Sequence, residues 1–134
     1  TTLWLTQRLL NRVVPALVKV LEEETSGKPQ ASDLQAFTQQ GAHRDIDQEA
    51  PIRAAWTSWR VRRVDMTPRP KAVTLVFGDN QSESARLEMP RTALRQWLSI
   101  LRELYRRAEW SCENWPDWLA PLSQTAETKD SQLH

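Results

Sequence analysis

A chain of 134 residues, 40% hydrophobic and 26% charged, has the size and composition of one globular domain and excludes wholesale disorder. A net charge of +1 lacks the strongly basic balance of a dedicated nucleic-acid binder, and a single cysteine, Cys112, excludes an internal disulfide and a multi-cysteine metal site. Seven Trp against three Gly leave little room for phosphate-cradling loops, while so many large amphipathic rings exceed what a small core needs.

The chain begins with a short apolar run, Leu3-Trp4-Leu5. Thr6 then suits the N-cap of a helix reaching about Leu21, with Leu9, Leu10, Val13, Val14, Leu17, Val20 and Leu21 as its apolar stripe. Pro15 interrupts this pattern and removes one backbone donor, which predicts a kink near Asn11 or two shorter helices. Glu22-Glu23-Glu24 fall at the C-terminal end, where the helix dipole is already negative, so they call for fraying or for a basic partner such as the Arg-rich strand. Arg8 and Arg12 break the layout of a signal peptide, and no stretch approaches the ~20 apolar residues of a membrane span. The expectation is a soluble, cytoplasmic protein without a membrane partner.

Residues 25–51 are polar and acidic and read as a connecting region, with one short helix over 33–40 capped by Ser32, anchored by Phe37 and stopped by Gly41. His43 to Pro51 reads as a mobile acidic loop. Charge is separated along the chain: residues 21–50 hold seven acids against two bases, and residues 52–71 hold six bases against Asp65 alone. Either one segment screens the other within the fold, or each faces a different partner.

Three strand-like runs follow. Trp59 and Val61 have one parity, Val64 and Met66 the other, so a β-bulge at Arg62-Arg63 is needed to return all four to one face. Pro68 and Pro70 force a turn; Val73, Leu75 and Phe77 supply the buried face of the second run. Gly78-Asp79-Asn80 turns again, and Ala85, Leu87 and Met89 complete a third run that passes through Pro90 into a helix. In that helix Leu94, Leu98, Leu101 and Tyr105 recur at helical spacing, while Arg91, Arg95, Arg102, Arg106 and Arg107 occupy the other side and predict a basic surface facing water. An apolar sheet face must be covered, and two helices carry the stripes to do it. The predicted fold is α+β, ordered α-β-β-β-α, a three-stranded antiparallel meander covered on one face by two helices. It forms a single domain over residues 1–122 with a disordered tail over 123–134.

Chemistry-bearing patterns are sparse. His43 and His134 are far apart, Cys112 sits between Glu109 and Glu113, which oppose a thiolate, and three isolated glycines build no nucleotide-binding loop. No enzyme, cofactor or metal site is expected. The leading expectation is a non-enzymatic protein–protein interaction module, a small accessory or adaptor protein that binds another protein or itself. Its contacts are Trp110, Trp115 and Trp118 with Arg60, Arg62 and Arg63, because Trp and Arg are enriched where interfaces concentrate their energy. Trp4 and Trp97 are expected to pack in the core, and the opposing reading for the C-terminal trio folds Trp110, Trp115 and Trp118 back as a lid over the open end of the helix pair. The alternative function is a nucleic-acid-binding regulator. It would use Trp56, Arg60, Arg62, Arg63 and Arg69 on the strand, extended by Arg91, Arg95 and Arg102 on the last helix, so that rings stack on bases while guanidiniums meet phosphates.

Overall fold

The computed structural model describes residues 2–46 and 58–120. A short strand, β1 (Thr2–Trp4), leads into α1 (Gln7–Glu22), whose start is fixed by Thr6: its hydroxyl accepts from the Leu9 N–H at 3.2 Å. Helix α1 runs unbroken through Pro15, as one helix rather than two, and Pro15 is exposed, so its ring meets water instead of the core. The last turn tightens into a 3-10 turn at Glu23–Thr25. Helix α2 (Ala31–Arg44) follows.

This second helix departs from expectation in three ways. It continues past Gly41 to Arg44, it has no side-chain cap from Ser32, and Phe37 is 77% exposed instead of anchored. Its buried residues are Gln35, Gln39 and Ala42, so the helix docks through its polar positions. The physical reason is that hydrogen-bond partners wait at those two glutamines, and a paired polar group is cheap to bury. Residues 47–57, which hold most of the expected acidic loop and Trp56, lie outside the described residues, as does the tail over 123–134.

Strand β2 (Ser58–Arg60) pairs in parallel with β1, Trp4 opposite Arg60. Strands β3 (Arg63–Pro68), β4 (Ala72–Gly78) and β5 (Ser84–Pro90) form the antiparallel meander in that order. The predicted bulge is present between β2 and β3: the Arg62 N–H donates to the Gly78 carbonyl at 2.8 Å while Arg63 pairs with the same glycine, so two residues oppose one. The slip brings Trp59, Val61, Val64 and Met66 to the core together.

Helix α3 (Arg91–Arg107) closes the fold, followed by a 3-10 turn at Asp117–Leu119. The architecture is α+β. Leu10, Val14, Leu17 and Leu21 of α1 and Leu94, Leu98, Leu101 and Tyr105 of α3 pack with Val73, Leu75, Phe77 and Met89 on one sheet face. Leu17, Leu21, Leu75, Leu94 and Leu98 are fully buried, and each contributes about 1.5–3 kcal/mol relative to exposure. Helix α2 packs mainly on α3 and more lightly on α1. Among the described residues no helix is long and apolar enough to cross a membrane.

Candidate interaction surfaces

Tyr105 gathers the C-terminal tryptophans. Its ring meets Trp110 at 5.1 Å and Trp115 at 5.2 Å between centroids, both edge-on, and its hydroxyl donates to Asn11 of α1 at 2.7 Å. Trp118 donates from Nε1 to Glu22 at 3.3 Å, with Arg95 5.7 Å over its ring. Trp115 and Trp118 are 8% and 7% exposed and Trp110 is half-buried. The expected docking cluster is therefore a lid on the core, with Trp110 and Trp115 held by ring packing against Tyr105 and Trp118 by Glu22 and Arg95. Trp115 and Trp118 offer no surface to a partner in this state.

The arginines of α3 are also not the surface expected of them. Arg95 is 2% exposed and donates to Gln35 Oε1 at 2.8 Å, Gln39 Oε1 at 3.4 Å and Glu24 Oε2 at 3.1 Å. Gln39 in turn donates to the Arg95 carbonyl and to Ser99, and Gln35 to the Leu21 carbonyl, all within 2.7 Å. Burial pulls the Arg95 pKa down from its ordinary value, and the Glu24 carboxylate opposes that pull. Arg91 lies 3.6 Å from the other Glu24 oxygen and donates to the Arg69 carbonyl at 2.6 Å. The acidic end of α1 thus finds its basic partner on α3 and not on the Arg-rich strand. Arg102 is half-buried, and Arg106 and Arg107 share Glu103 at 2.6 and 3.3 Å. Of the predicted water-facing basic surface, Arg106 and Arg107 are exposed as expected, whereas Arg95 and the half-buried Arg91 are tied to α2 and to the end of α1.

The exposed basic site lies elsewhere, between α1 and the β2–β3 segment. Two adjoining grooves of about 260 and 370 Å³ share Leu9, Arg12 and Arg62. Around them stand Arg8 and Arg12 of α1 and Arg60, Arg62 and Arg63 from the strand side, over Leu9, Val13, Val61, Val64 and Met66. The bulge aims both Arg62 and Arg63 outward, since it shifts the strand's parity between them, and both are exposed. Arg63 pairs with Asp65 at 3.1 Å. Among the described residues, Arg8, Arg12, Arg60 and Arg62 have no carboxylate within ion-pair distance. Arg8 and Arg12 were absent from the sequence-derived site; their i, i+4 spacing on the helix next to the strand arginines was the available signal.

Trp4 also departs from expectation: it is 59% exposed. Paired residues of neighbouring strands share a face, so Trp4 stands beside Arg60 at the groove's end while Leu3 and Trp59 turn inward. Arg69 is exposed and donates to Thr74, away from the groove; Trp56 lies outside the described residues. A further open groove of about 640 Å³, lined by Lys19, Glu22, Glu23, Gln35, Asp117 and Trp118, has scattered carboxylates without a common focus. Among the described residues no group of three or more His, Cys, Asp or Glu forms a metal site. Compared with protein families, with curated proteins and with solved structures, the chain matches none.

Proposed function

We propose that this protein is a non-enzymatic interaction module, an accessory or adaptor protein of a reducing compartment, that binds an acidic protein segment in the arginine groove between α1 and β2–β3. One observation carries the reading: Arg8, Arg12, Arg60 and Arg62 stand around an apolar floor with no carboxylate in ion-pair distance among the described residues, while Arg63 at the rim is held by Asp65 and Asn80. Guanidiniums recognise carboxylates in bidentate fashion, and apolar side chains inserted between them supply the desolvated anchors on which interfaces depend. Glu24, beyond the end of α1 opposite to Arg8 and Arg12, is committed to Arg91 and Arg95 and not to the groove.

The test is an affinity capture from the native host compared between the wild type and the Arg12→Glu/Arg62→Glu variant. Loss of the same partner from the variant supports the reading, and an unchanged partner profile from a folded variant overturns it. A second reading, nucleic-acid binding, is favoured by exposed Trp4 beside Arg60, a ring able to stack on a base next to a phosphate-binding cation. Anisotropy with fluorescent single- and double-stranded oligonucleotides separates the two. Binding that falls steeply with salt and weakens in Trp4→Ala selects nucleic acid, and no binding at low salt eliminates it.

A further inference from the structure

The sheet has a second exposed feature, at the edge away from the arginine groove. Strand β5 is the last in the order β3-β4-β5, and among the described residues no strand pairs with its outer side. The phase of its hydrogen bonds is fixed by its two ends: the Asp79 N–H donates to the Glu83 carbonyl and the Arg91 N–H to the Lys71 carbonyl, both at 3.3 Å. Residues 85, 87 and 89 therefore turn their backbone groups toward β4, since such pairs alternate along an antiparallel ladder. Ser84, Arg86 and Glu88 turn theirs outward.

Above this edge runs an apolar flank. On α3, Arg95 and Ser99 face α2, and Arg91 faces α1 through a hydrogen bond to the Val20 carbonyl. The opposite flank, by helical periodicity, bears Ala93, Trp97, Ile100 and Leu104. Ile100 is 47% and Leu104 51% exposed, and Leu87 of β5, on the sheet's helix-covered face, is 43% exposed.

We propose that β5 pairs antiparallel with β5 of a second copy of this chain, about a two-fold axis through Leu87. This register is chosen by the strand itself. Arg86 would exchange both backbone hydrogen bonds with the partner's Glu88, and Glu88 with the partner's Arg86, placing opposite charges directly across on the solvent face. Moving the axis to residue 86 would set arginine against arginine, and moving it to residue 88 would set glutamate against glutamate. Leu87 would oppose the partner's Leu87 as a non-hydrogen-bonded pair with Cα atoms about 4.5 Å apart, and the Trp97–Ile100–Leu104 flanks would close over it. The same patch serves both copies, as a two-fold interface requires. The product is a continuous six-stranded sheet with one arginine groove at each outer end, so a partner with two acidic segments would bind both at once.

The experiment is light scattering of the full chain over a concentration series, with three variants. The wild type is expected to be a dimer. Glu88→Arg sets like charge against like charge in both reciprocal pairs and should weaken dimerisation on the order of tenfold. Adding Arg86→Glu to it restores opposite charges and should restore the dimer. In a Cys112→Ser background, Leu87→Cys should form an inter-subunit disulfide on mild oxidation, because the non-hydrogen-bonded spacing lies within disulfide reach. Arg86 and Glu88 are exposed, so circular dichroism should show every variant folded. A monomer at all concentrations, a dimer indifferent to Glu88→Arg, or a double variant that fails to recover overturns the proposal.

Discussion

Arg95 and Arg62 carry the same guanidinium, yet one is 2% exposed with three side-chain acceptors and the other faces solvent with no carboxylate in ion-pair distance among the described residues. The buried group is an adhesive. It ties α3 to α2 through Gln35 and Gln39 and to the end of α1 through Glu24, and its ring contact with Trp118 extends the tie to the C-terminal lid. The exposed group in the groove contributes little to folding, because hydrated surface charge is nearly neutral in stability. What separates the two is acceptor supply. Glutamines and a glutamate meet Arg95, while among the described residues no carboxylate lies within ion-pair distance of Arg8, Arg12, Arg60 or Arg62.

This division can be broken at four places, in order of effect. Trp118→Ala should cost about 4 kcal/mol of stability in chemical denaturation, since it removes a 93%-buried ring and the face on which Arg95 rests. A near-neutral result would return Trp118 to the surface. Arg95→Met should cost about 3 kcal/mol, because Glu24, Gln35 and Gln39 all lose their donor. A neutral or stabilising outcome would show that the network adds specificity in place of stability. The ion-paired trio of half-buried Glu103 with exposed Arg106 and Arg107 is intermediate: the hydrogen bond from Arg106 is the main reason the Glu103 carboxyl is lowered from 4.5 to about 2. Since the folded value is the lower one, the stabilisation is fully present above pH 4.5 and is lost as pH falls toward 2. Solvent screening limits it to about 0.5–1 kcal/mol, and Glu103→Gln should lower stability by that amount at neutral pH and flatten the acid limb accordingly. Smallest is Arg12→Glu/Arg62→Glu, which should shift the unfolding free energy by at most about 0.5 kcal/mol while abolishing partner capture. A large destabilisation there would mean that these arginines belong to the fold after all.

Much of the architecture was legible in the sequence. Leu94, Leu98, Leu101 and Tyr105 had a period that only a helix buries, Val73, Leu75 and Phe77 one that only a strand buries, and the parity slip at Arg62-Arg63 announced the bulge before any pairing was known. The β1–β2 ribbon was not legible, because three-residue strands carry no period and their pairing spans more than fifty residues. Helix α2 misled in a different way. Phe37 was the obvious anchor by hydropathy, yet Gln35 and Gln39 are inside, because a buried amide is favourable only where particular acceptors and donors stand.

The sequence by itself determined the α+β class, the faces of its strands and long helices, the Thr6 cap and the separation of charge along the chain. Only the tertiary structure decided which arginines are free, that Trp115 and Trp118 cover the core, and that Trp4, Arg8 and Arg12 stand with Arg60 and Arg62. The reason lies in the range of the forces. Periodicity and capping act over three or four neighbours and are written locally, whereas the fate of a tryptophan or a guanidinium depends on partners far along the chain, such as Asn11 for Tyr105 or Glu24 for Arg95.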